Sequence, residues 1–86
     1  LSHIENIFKS ELDKLKNLKI VKEIRLAGLL CAIDLHQNIG PKKFFQKGLY
    51  LVSQTNRIIL APPLIISESL LKEAMKKIYE VLKESE

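Results

Sequence analysis

Arg57 is the residue of this sequence best suited to bind a small charged molecule. It opens a run of aliphatic residues, 57–61, that has the β-branched composition of a strand. An arginine guanidinium can hold a carboxylate through two parallel hydrogen bonds. The other interpretation is a charge on an edge strand that discourages aggregation. Spacing alone favours this second interpretation.

The other ionisable and nucleophilic residues offer little chemistry. Asp34 interrupts an apolar run and could be a buried carboxylate with a raised pKa, although a position at the exposed end of a strand explains it better. Cys31 lies among aliphatic residues, which favours a buried, inert thiol in a reducing compartment over a disulfide or a nucleophile. His3 and His36 lack partners at metal-ligand spacing, so we predict surface histidines and no metal site.

Lys42, Lys43 and Lys47 form a basic cluster beside Phe44 and Phe45. The formal net charge of +4 is compatible with binding to RNA or to an acidic partner. Elsewhere, however, lysines alternate with acidic residues, as on solvated helix faces with paired charges. We therefore expect no nucleic-acid partner, and we predict that both phenylalanines anchor a short helix to the core.

Length and composition indicate one small domain. Of the 86 residues, 47% are hydrophobic and 28% charged, which is typical of a mixed α and β protein. A domain of this size buries only about 60–65% of its unfolded surface, so its core is marginal. No apolar run is long enough to cross a bilayer and the N-terminus lacks a secretion signal, which predicts a soluble protein without a membrane partner. Together with the reducing compartment indicated by Cys31, this leads us to expect a cytoplasmic protein. The start at Leu1 leads us to expect a fragment of a longer protein.

Residues 57–67 predict a strand, a corner and a helix start in succession. The two adjacent prolines must end the strand because neither can donate a hydrogen bond to the ladder. Ser67 can then cap the next helix by accepting a hydrogen bond from one of its first amides. Ile66 and Leu71 occupy the two positions of a hydrophobic staple.

Hydrophobic periodicity and breaker residues define the other elements. Residues 2–5 have the form of a helix capping box, Pro41 suits the first position of a short helix, and Gly48 suits its C-terminal cap. Residues 29–35 are apolar enough to be buried on both faces, as in a central strand. The predicted elements are a helix to about residue 17, strands at 20–25 and 29–35, a helix at 42–47, strands at 49–52 and 57–61, and a helix from 67.

This order, αββαββα, predicts an α+β fold in which a small, largely antiparallel sheet carries helices on one face. The last two strands pair as a hairpin, with a turn at residues 53–56. In the first strand, Ile20 and either Val21 or Ile24 face inward. We predict a single domain over residues 1–86.

Four segments resemble, in this order, the C-terminal small domain of the class III aminotransferases. These are pyridoxal-phosphate enzymes that act on terminal amino groups. The resemblance covers nearly the whole chain and is greatest for the acetylornithine and succinyl-ornithine group, with diaminopelargonate aminotransferase second. The segments are residues 21–25 (VKEIR), 28–35 (GLLCAIDL), 46–52 (QKGLYLV) and 57–67 (RIILAPPLIIS).

The resemblance implies a homodimeric enzyme with a larger domain that precedes this one. That domain would carry the Schiff-base lysine and the aspartate that pairs with the pyridine nitrogen, so pyridoxal phosphate would be bound there and not by this segment. The small domain would close over the substrate, position it and exclude water. The implied substrates are an amino acid or amine and a 2-oxoglutarate-type acceptor, in arginine biosynthesis for the acetylornithine group.

The resemblance also implies where a substrate carboxylate binds. In the acetylornithine group, an arginine three residues before the double proline binds the α-carboxylate, and this chain has Ile59 there. Arg57 lies two residues earlier, so on a strand it faces the same side from a point about 7 Å away, and we predict that it binds the substrate. In the diaminopelargonate group the arginine lies near Val52 or Ser53, and it is missing here.

Three functional hypotheses follow. The first is the substrate-closing domain of a transaminase of the acetylornithine or ornithine type, with the diaminopelargonate enzyme of biotin synthesis as its alternative. The second is a stand-alone basic module that binds RNA or an acidic partner through Lys42, Lys43 and Lys47. The third is a structural or dimerising part of a protein that has lost its activity.

Overall fold

The computed structural model describes residues 3–49, 51–54, 56–63 and 65–86, without the side chain of Gln54. The observed order αββαββα and the α+β class are those predicted. None of the described helices has the length and apolar character that crossing a membrane requires. The elements are α1 (His3–Leu15), β1 (Val21–Ala27), β2 (Leu30–Leu35), α2 (Lys42–Phe45), β3 (Val52–Gln54), β4 (Arg57–Leu60) and α3 (Glu68–Glu84).

The strands form one antiparallel sheet in the order β1-β2-β4-β3. The central position predicted for β2 is therefore confirmed. Its predicted burial on both faces is wrong, because Cys31, Ile33 and Leu35 are buried whereas Asp34 is only half-buried and Leu30 is exposed. The apolar core lies on one side of the sheet, so alternate residues of β2 meet different surroundings.

The core joins the inner face of the sheet to both long helices. Each helix contributes a stripe at the spacing of helical turns, with lysines and acidic residues on the opposite side. No polar or charged residue of the described chain is buried. The helical contributors are Phe8, Leu12 and Leu15 of α1, Phe44 of α2, and Leu71, Met75, Ile78, Val81 and Leu82 of α3.

A bulge in β1 explains its imperfect alternation. The pairing with β2 shifts between Val21 and Glu23, which inserts one residue into β1. Val21 and Ile24 both pack against the core, although only one of them was predicted to face inward. The bulge thus allows two residues three positions apart to share one face.

The segment after β2 differs from its prediction at both ends. The short helix covers Lys42–Phe45 instead of residues 42–47, and Pro41 is its N-cap instead of its first helical residue. Gly48 has a φ of +82°, the left-handed conformation that favours glycine after a helix, as predicted. The helix therefore ends two residues earlier than the sequence indicates, and Gly48 follows it in the left-handed conformation.

The hairpin begins later than predicted. Strand β3 covers Val52–Gln54, not residues 49–52, and Gln54 pairs with Arg57. The turn predicted to start at Ser53 is therefore wrong. The Ser53 hydroxyl donates a hydrogen bond to the carbonyl oxygen of Ile39 at 2.6 Å. This bond satisfies the polar side chain while Ser53 lies in the strand.

The corner between β4 and α3 follows its prediction. Strand β4 ends at Leu60, before the two prolines. Ser67 is the N-cap of α3, and its Oγ accepts a hydrogen bond from the amide of Leu70 at 3.2 Å. Ile66 is partly buried and Leu71 is buried in the same core, as a hydrophobic staple requires. The capping box predicted for α1 depends on Ser2, which lies outside the described residues.

Candidate functional site

The face of the sheet opposite the core presents charged and apolar side chains to solvent. Residues that pair across antiparallel strands share a face, so the register identifies which side chains lie there. All its described side chains are exposed or half-buried. We call it the open face; its described members are Glu23, Arg25 and Ala27 of β1, Leu30, Ala32 and Asp34 of β2, Val52 of β3, and Arg57 and Ile59 of β4.

Asp34 lies between two arginines on the open face. The Nε of Arg57 donates to Oδ1 of Asp34 at 2.7 Å, and Nη2 of Arg25 lies 2.9 Å from Oδ2. Glu23 lies farther out, 3.9 Å from Nε of Arg25. The Asp34 side chain is 15% exposed, whereas those of Arg25 and Arg57 are 50% and 49% exposed. We call these four residues the Asp34 cluster.

Backbone register explains why the Asp34 cluster forms. Asp34 pairs with Arg57 on β4 and with Glu23 on β1, so these three residues form a row across the sheet. Arg25 pairs with Ala32, the open-face residue before Asp34 on β2. Its long side chain reaches diagonally to Asp34, as cross-strand neighbours at this distance can do.

The arginines hold the pKa of Asp34 below its usual value. The main cause is the hydrogen bond from Arg57, partial desolvation acts in the opposite direction, and the charge of Arg25 lowers the pKa further. The same hydrogen bond raises the pKa of Arg57. The hypothesis that Asp34 is a buried acid with a raised pKa is therefore wrong, because two guanidinium groups stabilise its charged form.

Arg57 and Ile59 both lie on the open face, in adjacent rows. Ile59 pairs with Ala32 and with Val52, whereas Arg57 belongs to the Asp34 row. Sequence reasoning identified Arg57 but missed Arg25 and the role of Asp34 as the partner of both arginines. The sequence does place Arg25, Asp34 and Arg57 on predicted strands of one sheet. Which of them lie side by side depends on the pairing register of the strands, and the sequence alone does not give that register.

The remaining candidate residues from the sequence are Cys31, His3 and His36. Cys31 is completely buried, and burial raises the pKa of its thiol to about 11, as predicted for an inert cysteine. The Nε2 atom of His3 lies 3.0 Å from a carboxylate oxygen of Glu68, which links the first turns of α1 and α3 at the surface. His36 is exposed. Within the described ranges, no group of three metal-ligating side chains comes together.

The basic cluster around α2 is tied to the end of α3. Phe44 is completely buried as predicted, but Phe45 is 46% exposed, so its prediction as a core anchor is wrong. Side chains of adjacent helix residues point about 100° apart. In a helix of one turn, therefore, only one of the two phenylalanines faces the core. The Nζ of Lys47 lies 3.6 Å from a carboxylate oxygen of Glu84, and the Nζ of Lys43 lies 3.5 Å from the Ser85 hydroxyl.

An apolar groove of about 620 Å³ adjoins the open face. It lies between α3, the segment that contains Pro62 and Pro63, and the hairpin of β3 and β4. Val52 and Ile59 belong to both the groove and the open face. Its described lining contains no charged side chain. The groove can therefore exclude water and make apolar contacts, whereas ionic contacts of the open face come from the Asp34 cluster.

Comparison with known proteins identifies relatives of one class. The family model "Aminotransferase class-III" matches residues 1–82. Adenosylmethionine-8-amino-7-oxononanoate aminotransferase of Methanocaldococcus jannaschii is 33% identical, over 96% of this chain and 23% of that protein. Ornithine aminotransferase of Staphylococcus epidermidis is 38% identical over 86% of this chain and 19% of its own length. Acetylornithine aminotransferase of Caldanaerobacter subterraneus is 37% identical over 90% and 21%, so this chain spans about a fifth of such relatives.

Solved structures share the fold. The M. jannaschii enzyme superposes with a TM-score of 0.82 at 29% identity, over 94% of this chain and 22% of that one. Taurine:2-oxoglutarate aminotransferase of Bifidobacterium kashiwanohense, solved with pyridoxal phosphate and glutamate, gives 0.77 at 26% identity, over 92% and 22%. The family match and the shared fold together show that this chain belongs to the class III aminotransferases, which are pyridoxal-phosphate-dependent.

Proposed function

We propose that this chain is the C-terminal small domain of a transaminase that acts on terminal amino groups, and that Arg57 binds a carboxylate of the substrate. The observation that carries the proposal is the family match over residues 1–82 in a chain about a fifth as long as its relatives. The open face supports the role of Arg57, because it presents a half-exposed guanidinium beside an apolar surface. The parent protein is proposed to be a cytoplasmic homodimer.

The described residues do not fit a binding site for pyridoxal phosphate. Such a site pairs a Schiff-base lysine with an acidic partner for the pyridine nitrogen, in surroundings shielded from water. No charged residue of the described chain is buried, and its lysines are exposed or half-buried. The cofactor is therefore proposed to belong to the rest of the parent protein, and this domain acts on the substrate instead.

Binding and water exclusion are the roles that the open face can perform. A guanidinium gives a carboxylate a charge-assisted and directional contact, which fixes the position of the amino group at the other end of the substrate. Val52 and Ile59 offer an apolar surface next to it. A domain that closes with this face toward the substrate would thus orient the substrate and remove water from it.

The first candidate substrates are ornithine and N-acetylornithine, each of which joins a terminal amine to an α-carboxylate. Relatives named for both are 37–38% identical to this chain. This choice would assign the parent to arginine biosynthesis. The second candidate is the pair in the name of the M. jannaschii relative, 8-amino-7-oxononanoate and adenosylmethionine. That relative matches 96% of this chain, and its structure superposes with a TM-score of 0.82. This choice would assign the parent to biotin synthesis.

Transamination by the full-length protein tests the proposal. The protein loaded with pyridoxal phosphate would be assayed with ornithine or N-acetylornithine and 2-oxoglutarate, and separately with 8-amino-7-oxononanoate and adenosylmethionine. Protein freed of cofactor is the control. Glutamate formation in the first assay is expected, product formation in the second alone would select the second candidate, and no transamination with any pair would overturn the proposal.

A further inference from the structure

We infer that Asp34 is a positioning residue for substrate binding, because its carboxylate fixes the guanidinium of Arg57 on the open face. The inference rests on the proposed function of Arg57. It adds a residue on the central strand β2 that does not itself contact the substrate. The effect of Asp34 is exerted through Arg57, across one backbone pair of the sheet.

The hydrogen bond from Arg57 leaves a defined part of the guanidinium for a ligand. Asp34 accepts from Nε, and 49% of the Arg57 side chain remains exposed to solvent. A guanidinium carries five N–H donors in a planar fork. With Nε held by the sheet, the terminal pair of nitrogens can still bind a carboxylate through two parallel hydrogen bonds.

Asp34 is itself held in place from two sides. Arg25 contacts its second oxygen at 2.9 Å, and only 15% of the Asp34 side chain is exposed. Asp34 is therefore a fixed acceptor, since it stands on the central strand with an arginine from each neighbouring strand. An arginine ordered before binding loses less conformational entropy when a ligand arrives than one that must be immobilised at that moment.

Charge alone does not account for this arrangement. The Asp34 cluster contains two arginines and two acidic residues, so its formal charges cancel. A carboxylate placed beside Arg57 opposes the attraction of a second carboxylate in simple electrostatic terms. The benefit of Asp34 to a carboxylate substrate must therefore come from the orientation it gives to Arg57.

The test compares two donors that differ only by the α-carboxylate, ornithine and 1,4-diaminobutane, in the full-length protein. The measured quantity is the ratio of KM for ornithine to KM for diaminobutane. Asp34→Ala should raise this ratio by about 10-fold, because Arg57 must then be ordered by the ligand. Asp34→Asn should lie closer to the wild-type ratio, since its amide oxygen can still accept from Nε of Arg57. Glu23→Gln is the matched control for charge alone, because Glu23 acts on Arg57 through its charge, whereas its ion pair at 3.9 Å is with Arg25.

The outcomes separate this inference from the proposed function. If the wild-type protein transaminates neither donor, the inference is overturned, and the proposed function falls with it only if the assays with N-acetylornithine and with 8-amino-7-oxononanoate also fail. If ornithine is a substrate but Asp34→Ala keeps the wild-type ratio, the inference alone is wrong. An equal rise in Glu23→Gln would also contradict it, because the rise would then not depend on the hydrogen bond from Arg57 to Asp34. Should Asp34→Ala fail to fold, Asp34→Ser carries the same expectation.

Discussion

Cys31 should react with an alkylating reagent far more slowly in the native protein than in the unfolded chain. The thiolate is the reacting species, and burial raises the pKa of Cys31 from 9.0 to about 11. At about pH 8 this shift lowers the thiolate fraction roughly 100-fold. The side chain is also completely buried, so reagent reaches it only when the structure opens, which slows the reaction further.

A timed pulse of iodoacetamide on the full-length protein measures this rate. Trypsin cuts after Arg25 and Lys42 and releases peptide 26–42, in which Cys31 is the only cysteine. Mass spectrometry of that peptide gives the alkylated fraction even if the parent protein has other cysteines. The same pulse in guanidinium chloride supplies the rate of the unfolded chain.

A native rate within about 10-fold of the denatured rate would refute the reasoning, because it requires a reachable and partly ionised thiol. It would place Cys31 outside the core and would revive the hypothesis of a nucleophile. A difference of at least about 100-fold is the result expected from the pKa and the burial together.

Substitutions at four other positions test the fold and its ionic contacts. Ser67→Ala removes the acceptor for the amide of Leu70 and should lower the free energy of unfolding by about 1 kcal/mol in denaturant titrations. Ser67→Asn should keep most of the wild-type stability, because asparagine is also a good N-cap residue. Phe44→Ala should cost about 3–5 kcal/mol and Phe45→Ala much less; equal losses in thermal unfolding would contradict the assigned burial. Because the pKa of Asp34 is lowered in the folded state, its contribution to stability is present above its unfolded pKa of about 3.9 and is lost as the pH falls through the lower folded value. Acid unfolding of Asp34→Asn should therefore depend less steeply on pH in that range, and an unchanged slope would argue against the ion pair.

Features encoded by neighbouring residues could be predicted from the sequence. The end of β4, the cap at Ser67 and the left-handed Gly48 each depend on a residue type with a local conformational or hydrogen-bonding preference. The central position of β2 followed from its apolar composition. The element order then followed from these local signals.

Features that depend on pairing between distant residues could not be predicted in this way. The bulge at Val21 decides which face Glu23 and Arg25 occupy, and the register of β2 with β4 decides that Asp34 meets Arg57. A shift of one residue in either pairing would move these charges to the other face. The late start of β3 has a similar cause, because Ser53 is held by a carbonyl fourteen positions earlier in the chain.

The most direct measurement of the central claim is the effect of Arg57→Ala on the KM of the full-length transaminase for ornithine and for 1,4-diaminobutane. Lys76→Ala, on the exposed side of α3, is the control for loss of a positive charge away from the open face. If Arg57 binds the substrate carboxylate, KM for ornithine should rise by at least about 10-fold while KM for diaminobutane stays at its wild-type value. An equal change for both donors would contradict the assignment of Arg57 as the residue that binds the carboxylate.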